Sequence, residues 1–102
     1  MFGLIKNLFG EKTDFRALMK EGAIIIDVRT PQEYKGGHIK GSQNIPLYKI
    51  DAQVESIRKK GKPVITVCRS GGRSGMAADI LRKKGIKVAN GGPWNSLQRS
   101  IQ

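Results

Sequence analysis

Cys68 is the one cysteine of this 102-residue chain, and it heads the run Cys68-Arg69-Ser70-Gly71-Gly72-Arg73-Ser74. Just before it, Val64-Ile65-Thr66-Val67 supplies four β-favouring residues, which read as a short buried strand. Two adjacent glycines permit a tight loop with positive φ, and Ser74 is placed to cap the helix begun by Met76-Ala77-Ala78-Asp79-Ile80-Leu81. Successive backbone N–H groups in such a loop form a concavity for anions, reinforced by the helix N-terminus behind it. A sulfur held there, with Arg69 and Arg73 nearby, is expected to ionise below the free-cysteine pKa of about 8.5. The thiolate is the nucleophile, so the stretch predicts a reactive-cysteine site. A lone cysteine closing a strand is more often an inert buried hydrophobe. The glycine loop, the two arginines and the helix that follows set this one apart.

The remaining composition narrows the chemistry further. One cysteine excludes an internal disulfide, and with a single histidine, His38, a structural zinc site lacks ligands. No metal or cofactor is therefore expected. The longest apolar run, Ala23-Ile24-Ile25-Ile26, is strand-sized and far short of a membrane span. Residues 1–10 lack the apolar core and small-residue cleavage site of a signal peptide. Together with a free reactive thiol, that predicts a cytoplasmic protein.

The net charge of +11 is uneven. Residues 1–55 carry 8 basic and 7 acidic side chains, whereas residues 56–102 carry 11 basic ones and only Asp79. The second half contains the cysteine loop, so its field should draw anions toward that site. Nucleic acid is the rival partner. However, the clusters Arg58-Lys59-Lys60 and Arg82-Lys83-Lys84 fall at predicted helix ends, where cations complement the helix dipole. With no aromatic interleaving or known motif, nucleic-acid binding is not expected.

The elements that must position the loop follow from spacing. Residues 1–12 form an apolar N-terminal segment, with Leu4, Ile5 and Leu8 at helical spacing and packing on the domain favoured; residues 13–102 form one domain. Thr13 reads as an N-cap before Phe15, Leu18 and Met19, and Gly22 ends that helix. Ala23 to Val28 reads as a central strand interrupted only at Asp27. Thr30-Pro31-Gln32-Glu33 has the form of a capping box with proline in the first turn. A short strand is expected within residues 43–45, then a helix with Ile50, Val54 and Ile57 on one face. Ile86-Lys87-Val88-Ala89 reads as the last strand and Asn90-Gly91-Gly92-Pro93 as a turn. Trp94, Leu97 and Ile101 stripe a terminal helix, with Trp94 as a core anchor. Alternating strands and helices predict an α/β fold with a largely parallel sheet and helices on both faces. Ligands in such folds bind beyond the carboxyl ends of the strands, where Cys68 falls.

From about Thr13 to Leu97 the chain resembles the single-domain rhodaneses. The resemblance rests on Asp27-Val28-Arg29, Glu33-Tyr34, Gly37-His38-Ile39, Gly41-Ser42, Asn44-Ile45-Pro46, the whole loop from Cys68 to Ser74, and Asn90-Gly91-Gly92-Pro93-Trp94. It implies a rhodanese-like fold with a five-stranded, mostly parallel sheet. It also implies transfer of a sulfane sulfur from a small anionic donor such as thiosulfate, through a Cys68 persulfide, to cyanide, a thiol or a thioredoxin-like acceptor. On that resemblance, the backbone N–H groups from Arg69 through Ser70, Gly71 and Gly72 to Arg73 would cradle the terminal sulfur. Arg69 would hold the anionic end of the donor, and Arg73 would stabilise loop and anion. Asp27, Arg29, Glu33, His38 and Ser74 match supporting positions, with Arg29 and Glu33 suited to an ion pair beneath the loop. Rhodanese-fold phosphatases resemble this loop but carry one residue more, which leaves phosphatase chemistry a weaker alternative. A module that carries sulfur or binds partners without catalysis is the other.

Overall fold

The buried run from Ile24 to Asp27 and the run from Val64 to Cys68 pair in parallel and form the centre of the molecule. The computed structural model describes residues 13–102. Among them, α1 (Phe15–Lys20), β1 (Ile24–Asp27), α2 (Pro31–Lys35), β2 (Gln43–Asn44) and a 3-10 turn (Leu47–Lys49) come first. They are followed by α3 (Ile50–Lys59), β3 (Val64–Cys68), α4 (Gly72–Lys83), β4 (Val88–Pro93) and α5 (Trp94–Ile101). The sheet order is β2-β1-β3-β4, all parallel. The architecture is the expected α/β arrangement with a parallel sheet, but with four strands among the described residues rather than five. The apolar residues 2–9 lie outside the described residues. No helix of the described residues is long and apolar enough to cross a membrane.

Period-two alternation divides the core between the two faces of the sheet. Ile26, Val28, Val64 and Cys68 face α3 and α4, meeting Ile50, Val54, Ile57, Ala77 and Leu81. Ala23, Ile25, Ile65 and Val67 meet Leu97 of α5, with Phe15, Leu18, Met19 and Trp94 packed around them. Both central strands are therefore buried on both faces, which explains their nearly uninterrupted apolar sequence. The predicted stripe of Ile50, Val54 and Ile57 is the buried face of α3.

Two local readings are corrected. The N-cap of α1 is Asp14, whose carboxylate accepts the Ala17 N–H, rather than Thr13. The last strand does not stop at Ala89 before a turn: β4 continues through Asn90, Gly91 and Gly92 to Pro93. Its register against β3 shifts between Thr66 and Val67, a bulge that glycine accommodates. Gly92 has φ +73°, and a Cβ on Gly91 would lie 2.8 Å from Ile65 Cγ2, 2.9 Å from Val67 Cγ1 and 3.0 Å from Thr66 O. The glycine pair thus lets one strand lie against another instead of turning away. Gly91→Ala should force β4 from β3 and lower stability by roughly 2–3 kcal/mol, as overpacking does. An unchanged urea midpoint would contradict that contact.

Candidate active site

The chain leaves β1 toward β2 on one side of the sheet and leaves β3 toward β4 on the other, so the carboxyl ends of β1 and β3 flank a switch point. Parallel α/β sheets form their ligand crevices at such points. The segment after β1 contributes Arg29, Thr30 and Glu33, and the segment after β3 contributes the loop from Cys68 to Ser74. Those two segments meet across the crevice.

Cys68 ends β3 with 1% of its surface exposed. Gly71, at φ +104°, turns the chain sharply, and α4 starts at Gly72. Its N-cap is Gly71, which supplies no side-chain cap, so Ser74 is not the cap that its sequence position suggested. Ser74 lies instead in the first turn, buried, with its backbone N–H 3.4 Å and its hydroxyl 3.3 Å from Cys68 Sγ. The Gly71 N–H donates to the same sulfur at 3.0 Å. The loop therefore directs backbone donors at a single sulfur atom, backed by a twelve-residue helix.

The thiol is drawn below its ordinary pKa. Burial pushes it up, but its hydrogen bond with the Ser74 hydroxyl and those from the N–H groups of Ser74, Gly71 and Ser70 outweigh that effect. The direction is the expected one, and of the two expected causes it is chiefly the hydrogen bonds of the loop that lower it, rather than the two arginines. Arg69 is exposed, and its guanidinium makes no hydrogen bond or ion pair among the described residues. Ser70 and Gly72 are exposed as well.

Arg73 crosses the crevice to Glu33, with Nη1 to Oε1 at 2.7 Å and Nη2 to Oε2 at 2.9 Å. That two-pronged geometry fixes the guanidinium plane. Glu33 also closes the predicted capping box of α2: Thr30 Oγ1 accepts the Glu33 N–H, and Glu33 Oε1 accepts the Thr30 N–H. One carboxylate thus caps α2 and anchors the far side of the cysteine loop. The Arg73 hydrogen bonds chiefly, then the Thr30 N–H, pull the Glu33 pKa from 4.5 to about 2 against the opposing effect of burial. Arg73 is correspondingly raised, mainly by Glu33.

A carboxylate with a lowered folded pKa stabilises the fold above its unfolded value, and the stabilisation disappears as pH falls through the folded value. The window for Glu33 therefore runs from 4.5 down to about 2. Glu33→Gln should lower the melting temperature at neutral pH and flatten its decline across that window. Parallel melting profiles for variant and parent would contradict this role.

Arg29 does not pair with the Glu33 carboxylate. It pairs with Asp27, two residues earlier, its Nε at 2.9 Å from Oδ1 and its Nη2 at 2.7 Å from Oδ2. Asp27 is 0% and Arg29 5% exposed. The pair reaches outward through Arg29 Nη2 to Gly37 O at 2.7 Å and Nη1 to Glu33 O at 3.3 Å, with the guanidinium 5.0 Å above the Trp94 ring. It anchors α2, and hence Glu33, to the sheet. His38 stacks on Tyr34 at 3.7 Å and its Nδ1 bonds Tyr34 O at 2.7 Å, in keeping with a framework histidine. Arg73 also lines an apolar cleft of about 290 Å³ with Val28, Thr30, Pro46, Leu47 and exposed Tyr48.

Asn90 belongs to this neighbourhood without any local signal, because asparagine before two glycines reads as a turn. Its side chain bonds Ser74, Gly71 and Gly92.

Residues 11–93 match the family model described as the Rhodanese-like domain. The chain is 47% identical over 72 residues to YqhL of Bacillus subtilis, a protein described as uncharacterized, covering 71% of this chain and 56% of that protein. It is 36% identical over 69 residues to the thiosulfate sulfurtransferase PspE of Escherichia coli, covering 66% of each. The solved structure described as a rhodanese with anions from E. coli matches with a TM-score of 0.66 at 33% identity, over 72% of this chain and 89% of that one. The chain thus spans 56% and 66% of the length of these two curated relatives.

Proposed function

Because the chain belongs to the rhodanese-like domain family, we propose that it is a sulfurtransferase working through a persulfide on Cys68. The observation that carries this reading is the convergence of the Gly71 and Ser74 N–H groups on one buried sulfur of lowered pKa. Such donors favour the thiolate, the form that attacks without a separate base, over the thiol. With Cys68 1% exposed at the floor of its loop, the donor must present a small terminal atom. The outer sulfur of thiosulfate meets that requirement.

In the first half-reaction the Cys68 thiolate attacks that outer sulfur. The sulfur–sulfur bond of thiosulfate breaks, its electron pair leaves with sulfite, and Cys68 retains a persulfide. Arg69, exposed and without a partner among the described residues, is the cation free to meet the anionic end of the donor. Arg73 is already held by Glu33, so its role is to keep the loop in shape. In the second half-reaction cyanide or a thiolate attacks the terminal sulfur, and the electron pair of the Sγ–S bond returns to Cys68. Four residues separate Cys68 from Arg73, a cradle suited to a sulfur atom.

Cys68 is the sole cysteine of the sequence, so no resolving thiol exists within it and the loaded form should wait for an external acceptor. Thiocyanate formation from thiosulfate and cyanide should therefore give parallel double-reciprocal lines when donor is varied at several fixed acceptor levels. Intersecting lines, or no thiocyanate, would overturn the scheme.

A further inference from the structure

The Asn90 carboxamide can be oriented from fixed partners. Its Oδ1 receives the Gly92 backbone N–H at 2.9 Å, and its Nδ2 donates to the Gly71 carbonyl at 3.2 Å. A backbone N–H only donates and a carbonyl only accepts, so a flipped amide would lose both bonds. Ser74 Oγ lies 2.6 Å from that Oδ1, which cannot donate, so the serine must give its one hydroxyl proton to Asn90. Toward Cys68, at 3.3 Å, Ser74 Oγ is then left as an acceptor. In the thiol form the proton in that contact is the thiol's own, and the contacts make a directed chain from the Cys68 S–H to the Ser74 hydroxyl to the Asn90 carbonyl.

Ionisation reverses the first link. A thiolate has no proton to give, and it gains from the Ser74 hydroxyl only if that hydroxyl turns away from Asn90. The surroundings suit this rotation. Ser74 is otherwise fixed, with its own carbonyl held by Thr66 Oγ1 at 2.8 Å, while Asn90 Oδ1 keeps the Gly92 N–H when the hydroxyl leaves. Gly75 leaves room for the amide, since a Cβ there would stand 3.2 Å from Asn90 Nδ2.

We propose that Asn90 is a positioning residue for Cys68, acting through Ser74 by competing with the sulfur for a single hydroxyl proton. This rests on Cys68 being the nucleophile. The hydroxyl faces Asn90 while Sγ is uncharged, as thiol or as the inner atom of a persulfide, whose charge sits on the terminal sulfur. It swings to Sγ when acceptor attack breaks the Sγ–S bond and the electron pair returns to Cys68. Asn90 thereby keeps the resting thiolate less stabilised, and so more nucleophilic, than the bare loop would.

The charged groups around this end of the sheet are Arg69 and Arg73 of the loop and α4, Asp27 and Arg29 after β1, and Glu33 of α2. Tyr48 of the 3-10 turn lines the cleft that Arg73 borders. β4 itself contributes none. All of these stay in place in the variants that test the proposal.

The test is the pH dependence of Cys68 alkylation by iodoacetamide, which requires no sulfur transfer. Removing the competitor in Asn90→Ala should move the midpoint down by about half a unit, the scale of one modest hydrogen bond. Asn90→Asp should move it up, because a carboxylate holds the serine proton more tightly and adds negative charge. In a Ser74→Ala background the Asn90→Ala shift should vanish. General loosening of the loop would move both Asn90 variants in the same direction, and that result overturns the proposal. So does an Asn90→Ala shift that persists without Ser74. A protein showing the predicted shifts yet forming no persulfide would sink the sulfurtransferase reading and leave the relay standing.

Discussion

Cys68→Ser should reduce sulfur transfer from thiosulfate to cyanide to background, a loss of at least about 10³-fold on the scale of removing a nucleophile. Serine in the same place keeps the geometry and loses the chemistry. The Gly71 and Ser74 N–H groups can still donate to an oxygen there, and the site is already closed to solvent. Its hydroxyl, however, is essentially never ionised at neutral pH, and among the described residues no base bonds it, only the hydroxyl of Ser74. The variant should therefore melt within a few degrees of the parent while losing its reaction with iodoacetamide. Retained transfer by Cys68→Ser, measured as thiocyanate, would move the nucleophile elsewhere.

The largest expected loss of stability lies beneath the site. Asp27→Ala should cost roughly 3–5 kcal/mol, because it strands the Arg29 guanidinium with a buried, uncompensated charge. It also removes the acceptor of the Arg29 backbone N–H, 3.1 Å away. The consequence should travel outward. Arg29 holds the carbonyls of Glu33 and Gly37, and Glu33 holds Arg73, so the cysteine loop should loosen along with the crevice. Removing both charges in Asp27→Ala with Arg29→Met should recover part of the loss, since the penalty comes from the orphaned partner. Equal urea midpoints for Asp27→Ala and the parent would contradict this role.

These contacts mark how far the sequence alone could be read. The strand before Cys68, the buried stripe of α3 and the capping box at Thr30 and Glu33 were legible because each is specified within a few residues. Partner choice was not. Arg29 stands as close in sequence to Glu33 as helical pairing requires, yet β1 turns Asp27 toward it, and Glu33 is drawn across the crevice by Arg73. The Gly91–Gly92 pair signals a turn to any local rule, and only the close approach of Ile65 and Val67 explains why glycine continues a strand there. Ser74 has the residue type of a cap, but Gly71 starts the helix earlier and turns Ser74 toward the sulfur. The concavity of backbone N–H groups was legible from the glycine pair before a helix, whereas the part played by the Ser74 hydroxyl, which ranks first among the groups that lower the thiol pKa, was not.

The most direct test of the persulfide account is the intact mass of the native protein after incubation with thiosulfate and rapid desalting. The account predicts a gain equal to one sulfur atom per chain, absent from Cys68→Ser, stable in buffer, and reversed by cyanide with release of thiocyanate. An unchanged mass, or a gain that survives replacement of Cys68, would contradict it.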